Sequence, residues 1–103
     1  MNDIDKFCAE QCGIEISAEP LKVYGYEIVN WSDLGLPRFW SIKDPRCREI
    51  VREHFDISTQ RHYHRDGQLI WYSDKFSTSY DGYGITIEEA EIECITAIWE
   101  ASK

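Results

Sequence analysis

The chain has 103 residues, 19 acidic and 11 basic side chains, and a formal net charge of −8. That length predicts one compact domain over residues 1–103 and excludes a large multidomain enzyme. No run approaches about 18 uninterrupted apolar residues, so no membrane span is expected, and 43% hydrophobic with 14% aromatic residues argues against disorder.

The first ten residues, MNDIDKFCAE, hold Asp3 and Asp5 and lack the apolar stretch of a secretory signal. A cytoplasmic protein is the expectation. The four cysteines, Cys8, Cys12, Cys47 and Cys94, then read as free, buried thiols rather than disulfides. Residues 3–12 predict a short helix, capped by Asn2 or Asp3 and stopped by Gly13. Residues 22–30 alternate as one strand, with Tyr24, Tyr26 and Ile28 on one face and Val23 and Val29 on the other. A loop over 31–38 and a short strand over 39–42 follow.

Asp44-Pro45 predicts a helix start, an acidic cap followed by proline in the first turn. Cys47, Ile50, Val51, His54 and Phe55 recur with helical spacing and form its apolar stripe. Arg46, Arg48, Glu49, Arg52 and Glu53 fall on the opposite face. Residues 57–65 and 68–73 read as a hairpin around Asp66-Gly67, a pair that favours a two-residue type I′ turn. That turn sets Tyr63 opposite Ile70 and His62 opposite Trp71. One face then carries Ile57, Tyr63, Ile70 and Tyr72, and the other carries His62, His64, Leu69 and Trp71. A slip of one residue exchanges such sets.

Residues 76–80 predict a third strand, and Gly82 and Gly84 read as turn residues. Thr86 and Glu89 form a capping box, with Ile85 and Ala90 as its staple. The last helix runs over about 87–101. Its buried stripe is Ile87, Ala90, Cys94, Ala97, Ile98 and Ala101, widened by Ile95 and Trp99, while Glu88, Glu89, Glu91 and Glu93 read as a solvated acidic run. The fold class is therefore α+β. The expected architecture is an antiparallel sheet of three to five strands with two or three helices, compatible with a three-layer α-β-α sandwich.

The charge is uneven. Residues 1–37 hold seven acids and two bases, residues 38–75 six acids and eight bases, and residues 76–103 six acids and one base. Acidic ends repel nucleic-acid phosphates, and the central arginines alternate with acids, so a nucleic-acid partner is not expected. His62 and His64 share a strand face as a zinc pair would, but no CxxC, HExxH or acidic loop supplies the remaining ligands. Cys47 and His54 lie two helical turns apart, about 10 Å, too far for a nucleophile–base pair. No catalytic residue, metal ligand or cofactor site is expected. The large aromatic Trp71 on a polar strand face calls for cover by a helix or by a partner.

Residues 44–101 resemble the phage ABA-sandwich domain. The resemblance rests on the helix over 44–55, on Ile70-Trp71, and on Gly84-Ile85-Thr86 leading to Ala90 and Cys94 at four-residue spacing. It implies a three-layer arrangement and carries over no catalytic residues. The same C-terminal segment, Gly84-Ile85-Thr86-Ile87-Glu88-Glu89-Ala90, is similar to HicB-type antitoxins, whose domains resemble a partial double-stranded-RNA-binding fold. The leading expectation is a non-enzymatic protein-interaction domain of phage or prophage type, monomeric or homodimeric. Its interaction face would be His62, His64, Leu69 and Trp71. The alternatives are an antitoxin-like protein that neutralises a toxin, and a metal-dependent enzyme using His62 and His64.

Overall fold

The computed structural model describes residues 3–15, 22–23, 26–27, 40–63 and 66–103. The chain forms two compact units, Met1–His54 and Phe55–Lys103. Among the described residues they hold three helices and two three-stranded antiparallel sheets, an α+β fold as expected.

The first unit begins with helix α1 (Asp3–Gln11). Gly13 ends it with the left-handed φ of 73° that the sequence led one to expect. Strands β1 (Ile14–Glu15), β2 (Lys22–Val23) and β3 (Tyr26–Glu27) pair in chain order. The single strand expected over 22–30 is instead two short strands, because Val23 pairs with Tyr26 and the chain reverses between them. Residues 28–30 and the loop over 31–38 lie outside the described residues. The short strand expected over 39–42 is not a strand at Trp40, Ser41 and Ile42.

Helix α2 (Pro45–Phe55) starts as its sequence requires. The Arg46 N–H donates to Asp44 Oδ1 at 2.8 Å, and the Arg46 guanidinium donates to both Asp44 oxygens. That guanidinium, with the capped backbone, holds the Asp44 carboxyl below its ordinary range. Cys47, Val51 and Phe55 are buried along the stripe, whereas His54 is exposed. Arg48 departs from its expected solvent face and is buried. Its Nη1 donates to the Ile42 and Lys43 carbonyls at 3.1 and 3.0 Å. Buried Asp5 secures the same segment from α1. Its carbonyl accepts from Trp40 Nε1 at 3.0 Å and its carboxylate from the Ile42 N–H at 2.9 Å.

The second unit is a meander closed by a helix: β4 (Ile57–Tyr63), β5 (Leu69–Lys75), β6 (Asp81–Gly84) and α3 (Ile87–Ala101). The third strand lies later than expected. Residues 76–80 form the turn, where the Lys75 N–H donates to Tyr80 O at 3.0 Å and Ser77 takes a left-handed φ of 59°. Gly82 and Gly84 are strand residues, not turn residues. A Cβ at Gly82 would collide with the Ala90 carbonyl and lie 2.5 Å from the Cys94 nitrogen; one at Gly84 would collide with Glu89 and lie 2.7 Å from the Ala90 nitrogen. Their missing side chains let the α3 backbone lie directly on β6.

Thr86 caps α3, its hydroxyl accepting from the Glu89 N–H at 3.1 Å. The return arm of the expected box reaches one residue further back, with Glu89 Oε2 accepting from the Ile85 N–H at 2.9 Å. Ile85 is 70% exposed, so the expected staple is not made. Ala90, Cys94, Ile95 and Ile98 are buried, while Ile87 and Ala101 at the helix ends are exposed. Glu91, expected in a solvated run, is only 2% exposed. Its carboxylate accepts from Thr59 Oγ1 at 2.7 Å, and Ser73 Oγ, 2.8 Å from Thr59 Oγ1, completes a relay from sheet to helix.

Adding one methyl at this contact tests it. Gly82→Ala is expected to destabilise the protein by about 1–3 kcal/mol in urea titration, the cost of overpacking. Gly67→Asn is expected to cost less than about 1 kcal/mol, because a Cβ at Gly67, with its φ of 84°, meets no atom within 4 Å and asparagine tolerates left-handed backbone. Equal losses at the two positions would contradict the packing role.

Candidate interaction surface

The hairpin register decides which side chains share a surface. Tyr63 pairs with Leu69, His62 with Ile70 and Arg61 with Trp71. This is one residue away from the register that a two-residue Asp66-Gly67 turn would impose. That turn requires left-handed backbone at both residues, but among the described non-glycine residues only Asp56 and Ser77 have positive φ. Asp66 instead accepts from the Gln68 N–H through Oδ1 at 2.9 Å, and Gly67, unlike Asp66, is left-handed. The described pairing ends at Tyr63 and Leu69.

The expected interaction face is therefore divided. Leu69 and Trp71 stand on the side of the sheet that bears α3, joined by Tyr63 and Arg61. His62 stands on the opposite side, 5.8 Å from the Tyr72 ring. His64 lies outside the described residues. The two-residue turn puts Tyr63 on the other face. A shift of one residue in the pairing returns Tyr63 to the Leu69 side.

On the α3 side the sheet is ordered in rows: Ile57–Lys75, Thr59–Ser73–Gly82, Arg61–Trp71–Gly84 and Tyr63–Leu69. Glu91 reaches the second row and the start of α3 lies on the third. The fourth row lies beyond the last β5–β6 pair, Trp71–Gly84. Tyr63 is 74% exposed and Leu69 38% exposed there. Beside them the Arg61 guanidinium sits 4.9 Å from the Trp71 ring centroid, a cation–π contact that covers part of the indole. Ile85, which follows Gly84 at this end, is also exposed. An apolar row at a sheet end, rimmed by one arginine, suits a protein contact.

The thiols offer a different chemistry. All four cysteines are free and buried. Burial lifts Cys8 to about 12, with Cys12 and Asp5 adding to it, and lifts Cys12 and Cys94 to about 11. Cys47 is raised as well, chiefly by burial. Such thiols carry little thiolate at neutral pH and make poor nucleophiles. Among the described residues, no three His, Cys, Asp or Glu side chains converge as a metal site would require. No described helix is long and apolar enough to cross a membrane. Comparison with family models, with curated proteins and with solved structures finds no match.

The raised thiols make stability pH-dependent with a defined sign. Each keeps its proton in the fold at a pH where the unfolded chain has lost it. The stabilisation is complete below the ordinary value of 9.0 and is lost as pH rises through the folded values of about 11 to about 12. Urea midpoints at about pH 8 and about pH 10.5 are expected to fall, with a shallower fall in Cys94→Ala. An identical fall in wild type and variant would contradict the assignment.

Proposed function

We propose that the chain is a non-enzymatic protein-binding module of the cytoplasm, of the phage or prophage type that its sequence resembles. Its contact surface is the Tyr63–Leu69 row with Trp71 and Arg61. The observation that carries this reading is the placement of two apolar side chains, 74% and 38% exposed, on the helix-bearing side but beyond the last pair of β5 and β6. A helix-covered sheet normally hides that side, so an uncovered row is available to a second surface. The high proton affinity of the buried thiols supports a binding role over cysteine chemistry. The Thr86 cap favours, as the second reading, the antitoxin-like case in which the partner is a toxin.

Light scattering at high micromolar concentration tests self-association, and co-expression with the product of an adjacent gene tests a separate partner. A homodimer or a defined complex is expected, weakened at least about tenfold by Tyr63→Ser combined with Leu69→Ser, the loss typical of central apolar contacts. A chain that stays monomeric and binds no neighbouring product contradicts the reading.

A further inference from the structure

The side of the second unit's sheet away from α3 has no helix of that unit on it, and its composition is uneven. Asp74 and Asp81 stand directly opposite each other on β5 and β6, and Tyr72 and Tyr83 form the next row. The two rings lie 4.7 Å apart between centroids, tilted by 38°. Two carboxylates and two phenol rings thus form the corners of one patch. Like charges placed directly opposite each other oppose strand pairing. Among the described residues of this face there is no lysine or arginine to offset them. Asp74 accepts from a neutral group, the Ser58 hydroxyl, at 3.3 Å. The negative charges also reach the neighbouring ring: the Tyr72 phenol is raised by burial and, after that, by Asp74 and Asp81.

This face carries the two groups that hold a cation. A guanidinium is flat, stacks on aromatic rings and donates in pairs to carboxylates, which an ammonium does less well. We infer that the face away from α3 docks an arginine-bearing segment of a partner protein, with the guanidinium between the Asp74–Asp81 pair and the Tyr72–Tyr83 rings. Charge complementarity selects this occupant over a second copy of the chain, whose own charge is −8. The inference rests on the protein-binding reading but uses the opposite side of the sheet from the Tyr63–Leu69 row.

The test is an NMR titration of the full isotope-labelled chain with a short arginine-bearing peptide and with its citrulline counterpart, which is neutral and nearly isosteric. Shifts concentrated at Tyr72, Asp74, Asp81 and Tyr83 are expected, with the citrulline peptide binding at least about fivefold more weakly. Asp81→Asn, an isosteric change at an exposed position, is expected to weaken binding at least about threefold. Tyr83→Leu should weaken it as well and provides an independent check. Equal binding of the two peptides, shifts spread over Glu88, Glu93 and Glu100, or a response of the same size to calcium alone would overturn the inference. A partner protein that shifts Tyr63 and Leu69 while leaving this face unmoved would also overturn it, and would leave the protein-binding reading standing.

Discussion

The close approach of α3 to β6 governs the second unit. Gly82 and Gly84 stand on the same side of one strand, and neither leaves room for a Cβ against the α3 backbone. This contact fixes where the helix begins, on the Arg61–Trp71–Gly84 row, and which way it runs, back over Thr59 and Ser73. The Tyr63–Leu69 row lies beyond the last β5–β6 pair and is exposed. Ile95 and Ile98 are buried along the helix, and each fully buried side chain of this kind contributes about 1.5–3 kcal/mol. That burial is non-directional. The glycines and the Ser73–Thr59–Glu91 relay supply direction, because a carboxylate that is 2% exposed must keep its hydrogen-bond donor.

The first unit uses buried charge in a similar way. The Asp5 and Arg48 side chains both bind backbone of the segment leading into α2, Asp5 at Ile42 and Arg48 at Ile42 and Lys43. Backbone groups that are neither helical nor in a sheet still need partners when buried. Here charged side chains provide them at one defined place. Cys8, Cys12 and Cys47 complete the surrounding core as small apolar groups.

Much of this was legible in the sequence, and the exceptions share a cause. The three helices, their caps at Asp44 and Thr86 and the left-handed Gly13 follow from local rules, and the structure has them where expected. The errors concern what lies across space. Gly82 and Gly84 look like turn residues until a helix is placed on them. Arg48 and Glu91 look solvated until their hydrogen-bond partners, distant in sequence, are known. Asp66-Gly67 favours a two-residue turn, and that turn slips the hairpin by one residue. That slip placed His62 with Trp71 and separated Tyr63 from Leu69. The candidate surface was therefore half legible: Leu69 and Trp71 were found, and Tyr63 and Arg61 were not.

The functional reading depends on that register, because it decides which side chains stand together beyond the last β5–β6 pair. Cross-strand backbone NOEs in the β4–β5 hairpin measure it directly. The account requires Tyr63 opposite Leu69 and Arg61 opposite Trp71. NOEs that instead place Tyr63 opposite Ile70 and His62 opposite Trp71 would contradict it, and would dissolve the exposed row on which the protein-binding reading stands.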